Sequence, residues 1–194
     1  GLHLGDLQFQ ELWIPAAALF AGPPGGPFGM DHMDWLGWLY VGGGLQMWRD
    51  FYQNDLKLNV IPWPAHPSSP QALGWFKKPL KSVADFKGLK CRQTGLNAEV
   101  YTKLGMSVVN MAGGEIVPSA QRGVIDCAEW VGGVEDLRLG LHTVFKYHYT
   151  PGMHESNSML EIIVNTDVWK SFTPQQQDAW RSATISERQW MPRR

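Results

Sequence analysis

Apolar positions along this chain fall into two textures. Up to about residue 70 they form a helical stripe set between Gly/Pro-rich stretches, and from Gly74 they become short runs alternating with capped helical segments. Leu45, Trp48, Phe51, Tyr52 and Leu56 recur on one helical face, which predicts a helix over 45–55 that packs rather than binds. Asp31 is placed to cap a helix over 32–40, with Asp34 in its first turn and Gly42-Gly43-Gly44 stopping it. Before that, a strand or short helix is expected over 9–20, then the loop Gly22-Pro23-Pro24-Gly25-Gly26-Pro27. A strand is expected over 58–63 and a loop over 62–70.

The second texture reads as an α/β unit. Ser82 and Asp85 hold capping-box positions for a helical turn over 82–86, and 89–92 reads as a strand. Asn97 is expected to cap a helix closed by Gly105, followed by a strand over 106–111. A helix over 114–122, with Pro118 in its early turns and Gly123 closing it, leads to a third strand over 124–130. This order implies parallel pairing and right-handed crossovers. A helix over 134–144, an aromatic segment over 145–149 and a buried strand over 160–165 follow. Thr173 then caps a long helix, with Pro174 at its first position and Gln176 completing the box.

Composition narrows the class. The chain has 194 residues, 17 Lys plus Arg against 18 Asp plus Glu, and a net charge of -1, which argues against a nucleic-acid partner. No apolar run approaches the roughly 18 residues of a membrane helix. Trp is abundant, at 10 residues, and is read first as packing. The two cysteines, Cys91 and Cys127, are too few for a disulfide scaffold and lack metal spacing. They are expected to be free thiols, because cross-strand Cβ vectors of adjacent parallel strands rarely meet disulfide geometry. The opening at Gly1 and the helical pattern still running at Arg194 read as an internal piece of a longer protein.

Enzyme motifs such as G-x-S-x-G, H-E-x-x-H and the P-loop do not occur. His142, His148 and His154 recur at a spacing that fits no helix face or metal pair, so surface or packing roles are expected. Gly42-Gly43-Gly44 and Gly113-Gly114 precede helices and serve equally as turns or as anion cradles. Arg92 and Gln93 end the first strand of the α/β unit, and Glu129 and Trp130 end the third. Ligands in open α/β sheets bind beyond such carboxyl ends. In a doubly wound order the two strands are neighbours, and Arg92 and Glu129 either line one cleft edge or form a plain salt bridge.

Several segments carry a resemblance. Asp85-Phe86-Lys87-Gly88-Leu89-Lys90-Cys91-Arg92 resembles the D-x-K-G-x-K-x-R segment of solute-binding proteins of TRAP transporters, the DctP-like family. Gly113-Gly114-Glu115-Ile116 through Ala128-Glu129-Trp130-Val131-Gly132 resembles the branch that binds 2-oxo acids, lactate and similar anions. Pro151-Gly152-Met153-His154-Glu155 and Tyr40-Val41-Gly42-Gly43-Gly44 match as well.

The resemblance implies an α/β, two-lobed, type II periplasmic-binding-protein clamshell, truncated here at both ends. It implies lobe I over 1–76 and 151–194 and lobe II over 77–150. For a piece lacking the first strands of lobe I, the face carrying Leu45, Trp48 and Phe51 is expected to be exposed. Arg92 matches the arginine that clamps the ligand carboxylate with its planar fork. Gln71, Glu129, the main-chain carbonyl of Trp130 and Glu155 match the ligands of a bridging cation, with Gln71 and Trp130 also facing the substrate. This all-oxygen set suits Na⁺ or Ca²⁺. The implied protein is periplasmic, is not an enzyme, and hands a small organic acid such as pyruvate or lactate to a TRAP permease; a homodimer is possible at full length. The alternative is a carboxylate-pair hydrolase, such as a glycosidase, using Glu129 and Glu155. Arg92 beside that pair opposes it, since a cation depresses the pKa that a general acid needs raised.

Overall fold

The computed structural model describes residues 2–5, 30–68, 70–154 and 158–185. In chain order the first elements are β1 (Leu2–Gly5), α1 (His32–Tyr40), α2 (Gly44–Asp50), a π-helical turn (Phe51–Asp55) and β2 (Val60–Ser68). Then come β3 (Gly74–Phe76), a 3₁₀ turn (Val83–Phe86), β4 (Lys90–Arg92), α3 (Gly95–Lys103), β5 (Ser107–Val109), α4 (Gly113–Gln121) and β6 (Cys127–Ala128). The last are α5 (Gly133–Leu139), a 3₁₀ turn (Leu141–Thr143), β7 (Tyr147–Tyr149), β8 (Ser158–Asn165), α6 (Thr166–Ser171) and α7 (Pro174–Ile185). The element expected over 9–20 lies outside the described residues. None of the described helices is long and apolar enough to cross a membrane.

A three-stranded antiparallel sheet has the order β1-β8-β2. Asp31 caps α1 as its type predicts, accepting from the amides of Met33 and Asp34 at 2.8 and 2.9 Å. The expected single helix over 45–55 is α2 plus the π-helical turn, and its stripe turns inward. Trp48 and Tyr52 are fully buried with Trp35 and Leu39 of α1, and Val60 and Ile163 of the sheet pack on that cluster. The apolar face expected to be exposed is therefore covered. The loop expected over 62–70 is instead mostly strand. β2 carries Pro62, Pro64 and Pro67 because it is an edge strand, where a missing N–H costs no ladder bond, and a bulge between Pro64 and His66 absorbs the irregularity.

The second sheet has the order β5-β4-β6-β3-β7. β4 pairs in parallel with both β5 and β6, so the doubly wound neighbours are as expected. β3 runs antiparallel between β6 and β7. Side chains alternate between faces. Trp75 and Ala128 join Ile116, Ile125, Leu141 and Phe145 in one cluster, while Phe76, Cys91 and Cys127 join Phe86, Tyr101 and Met106 in another. Cys91 stands opposite Cys127 in the ladder, with Cα atoms 4.6 Å apart, and the two form a disulfide. The expectation of free thiols is wrong because direct register and a shared face bring the pair inside the span a disulfide bridges.

Other boundaries moved for local reasons. Thr94, not Asn97, holds the cap position of α3. The third strand shrinks to Cys127–Ala128, and the helix expected over 134–144 stops at Gly140, whose φ of 87° lies in the left-handed region. Thr173 and Gln176 close the predicted box at the start of α7, with the Thr173 amide donating to Gln176 Oε1 at 2.8 Å.

Candidate functional site

The carboxyl ends of β4 and β6 bring the predicted charges together. Arg92 is 4% exposed and Glu129 3%. Arg92 Nη1 donates to the Glu129 main-chain carbonyl at 2.9 Å and forms an ion pair with Glu129 Oε1, and Arg92 Nε donates to the Met111 carbonyl at 3.3 Å. The guanidinium also lies over the Trp130 ring, with Cζ 5.1 Å from its centroid. Of the two arrangements the sequence left open, the salt bridge is therefore present, and it sits at the strand ends where ligands bind in such sheets.

Two devices hold the loop that carries Glu129 and Trp130. Gly113, at the start of α4, lies flat against the Trp130 indole, where an added Cβ would come within 2.6 Å of the ring. Asp136 is buried and accepts from the Val131 amide at 3.0 Å and from Trp75 Nε1 at 2.8 Å, tying the loop to β3. The local sequence explains both: Gly-Gly opening α4 removes side-chain bulk, and Asp136 lies in the first turn of α5.

Gln71 is buried on a neighbouring chain of hydrogen bonds. Its Oε1 lies 3.1 Å from His154 Nε2, and His154 Nδ1 lies 3.0 Å from the Tyr101 hydroxyl, whose single proton has the Leu73 carbonyl, at 3.3 Å, as its other acceptor within reach. Burial pulls the His154 pKa down to about 4, so the ring is neutral and donates from one nitrogen while accepting at the other. Burial, then the nearby Glu129 charge, pushes the Tyr101 hydroxyl up. Sequence reasoning missed Tyr101 and assigned His154 only a surface or packing role. The one available signal was the place of His154 within Pro151-Gly152-Met153-His154-Glu155. Of the other two histidines, His148 stacks on Trp75 at 4.2 Å, and His142 is exposed.

Of the predicted site residues, Arg92, Glu129 and Trp130 are brought together, and Gln71 is held by the chain of bonds through His154 and Tyr101. Glu155 lies outside the described residues. The donors offered by Gln71, Glu129 and the Trp130 carbonyl are all oxygen, which fits a hard cation and not a thiolate- or imidazole-seeking metal. Among the described residues no group of three or more His, Cys, Asp or Glu side chains converges on a metal site. Such a donor set would have to include amide and main-chain oxygens.

Comparison with known proteins extends this picture. A profile of the family described as DctP, bacterial extracellular solute-binding protein, family 7, matches residues 15–193. The chain is 42% identical over 159 residues to a monocarboxylate 2-oxoacid-binding periplasmic protein of Nostoc sp., covering 82% of this chain and 43% of that protein. A TRAP periplasmic solute-binding protein of Pseudoalteromonas atlantica, solved with bound sodium and pyruvate, is 31% identical with a TM-score of 0.80, over 94% of this chain and 54% of that one. Its counterpart from Colwellia psychrerythraea, solved with bound calcium and pyruvate, is 33% identical with a TM-score of 0.81, over 94% and 54%. The chain spans about half the length of these relatives. The α/β unit, the paired strand ends and the matched motifs agree with the profile: the chain belongs to the DctP-type bacterial extracellular solute-binding proteins of family 7.

Proposed function

We propose that the full-length protein captures a small 2-oxo or 2-hydroxy monocarboxylate, pyruvate or lactate being the type, in the periplasm and delivers it to a TRAP permease. The observation that carries this reading is the buried Arg92–Glu129 pair at the carboxyl ends of β4 and β6, roofed by Trp130. Support comes from the relatives, which are a 2-oxoacid binder and two proteins solved with pyruvate and a cation. We assign lobe I to 1–76 and 151–194 and lobe II to 77–150, with β3, at the end of the first lobe I stretch, paired into the five-stranded sheet of lobe II. Lobe closure, not bond making, is the working step.

Arg92 offers its planar fork to the ligand carboxylate, and Trp130 walls one side of the site against water. Gln71, Glu129, the Trp130 carbonyl and Glu155 would hold Na⁺ or Ca²⁺, which supplies positive charge to balance the clustered carboxylates. His154 and Tyr101 keep the Gln71 amide in one orientation. The protein is a binder and not an enzyme. The hydrolase alternative has no support, since Glu129 stands against Arg92, the wrong environment for a general acid.

Titration calorimetry of pyruvate and lactate against the full-length protein tests this, first in chelated, Na⁺-free buffer and then with each ion restored. Arg92→Ala is expected to weaken binding by about 2–5 kcal/mol, the usual loss for one partner of a buried charge pair. Unchanged affinity in that variant would remove Arg92 from the site. Unchanged affinity without any cation would remove the bridging ion.

A further inference from the structure

A second concentration of positive charge lies among α2, β2, α6 and α7 and shares no residue with the Arg92 site. Arg49 of α2 lies over Trp63 of β2, its Cζ 4.3 Å from the ring centroid. Arg181 of α7 lies over Trp169 of α6 at 5.6 Å. The two indoles touch, with centroids 4.9 Å apart, so both cations share one aromatic wall. Together with Gln46 and Gln53 they line a cavity of about 200 Å³ that has no acidic residue in its lining.

The charge balance there is unusual. Arg181 holds Asp178 at 2.8 Å, but both side chains are well exposed, at 48% and 74%, so that pair is screened by solvent. Arg49 is half-buried and makes no ion pair among the described residues. Its Nε and Nη2, the two donors of the side-on fork, are buried without a hydrogen-bond partner. The adjacent carboxylate, Asp50, accepts instead from Gln46 and Asn54, at 3.1 and 3.2 Å. Burial first, and the facing Arg181 second, make protonated Arg49 harder to hold than an ordinary arginine. Two like charges beside one small cavity, with an unsatisfied planar fork and apolar walls that weaken screening, call for a counter-charge. A guanidinium fork matches the paired oxygens of a phosphate or carboxylate.

We propose that this cavity is a second anion site that takes a small doubly charged oxyanion, with Arg49 as the bidentate contact and Arg181 supplying the second charge. Two cations set the preferred ligand charge, and the cavity volume admits a phosphate or a short dicarboxylate but not a nucleotide. The site is independent of the carboxylate reading at Arg92.

The test uses the full-length protein and follows tryptophan fluorescence and calorimetry at fixed ionic strength. Inorganic phosphate and succinate are the probes, with chloride as the control. Saturable binding of either probe is expected, and which one binds identifies the oxyanion class. Arg49→Gln and, separately, the more exposed Arg181→Gln should each weaken it about tenfold, less than the loss at a fully buried charge pair because both side chains are partly exposed. Arg92→Ala should leave it intact. Without the anion, Arg49→Gln should melt no lower than wild type, since it removes an uncompensated cation; with the anion, only wild type should gain melting temperature. No saturable response to either probe, or full affinity in Arg49→Gln and Arg181→Gln, would overturn the site.

Discussion

A methyl group on Gly113 would stand between 2.6 and 2.9 Å from three atoms of the Trp130 ring, so the indole would have to move. That ring carries the Arg92 guanidinium on its face, and its main chain continues directly from Glu129. Gly113→Ala should therefore cost about 1–3 kcal/mol of stability through overpacking and also weaken acid binding. Urea unfolding and calorimetry on the full-length variant check the two effects separately. Wild-type affinity in that variant would show that the position of Trp130 does not matter to the site. His154 gives a pH dependence with a fixed sign. Its folded pKa, near 4, lies below the ordinary value of about 6.5, so the unfolded chain takes up the proton first as pH falls. Its contribution to stability is constant above about pH 6.5 and declines toward pH 4, by about 3 kcal/mol in all. Chelated buffer and urea titrations at several pH values would measure this, and His154→Gln should flatten the slope across that window. A slope equal to wild type would sink the assignment. Neither contact was legible in the sequence, because Gln71 and His154 meet across 83 positions and no local period marks such a pair.

Local cap signals were read correctly at Asp31 and Thr173, though not at α3, where Thr94 rather than Asn97 holds the cap. Asp31 and Thr173 announce their helices because a cap bonds to amides two or three residues away. Asn165 caps α6 by the same chemistry, accepting from Asp167 and Val168, but it falls at the end of a strand and was absorbed into it. Strand pairing is non-local, and there the sequence said less. The order of β4 and β6 followed from the α/β rhythm, whereas the register that sets Cys91 against Cys127 did not. That register carries a measurable consequence. Thiol counting in denaturant without reductant should return none, and both cysteines should appear after reduction. A separation of 36 residues gives the crosslink about 4 kcal/mol by chain-entropy reasoning, an upper value. Urea titration of the Cys91→Ala, Cys127→Ala double variant should show most of that loss, and a variant as stable as wild type would mean that the crosslink contributes nothing.

At the scale of the molecule, the five-stranded sheet is built from one continuous stretch of chain, while the three-stranded sheet gathers strands from distant positions. The larger sheet has apolar clusters on both faces. A segment spanning 70–154 is therefore expected to fold by itself, with a cooperative melt and near-ultraviolet dichroism from Trp75 and Trp130. A broad, non-cooperative melt would show that this sheet depends on the rest of the chain. The clamshell was legible only through the family motifs, because nothing in periodicity or composition fixes how separate sheets are joined.

Ser68 and Ser158 face each other in the β2–β8 ladder. Among the described residues the chain thus leaves the three-stranded sheet at Ser68 and rejoins it at Ser158, so exit and return share one doorway. In genetic terms the stretch between them is a cassette with adjacent ends. Gln71, Arg92, Glu129, Trp130 and Glu155 all lie inside it. Recombination at the doorway would exchange these five positions as one block, so this half of a binding preference can be inherited whole while the sheet that carries it stays the same.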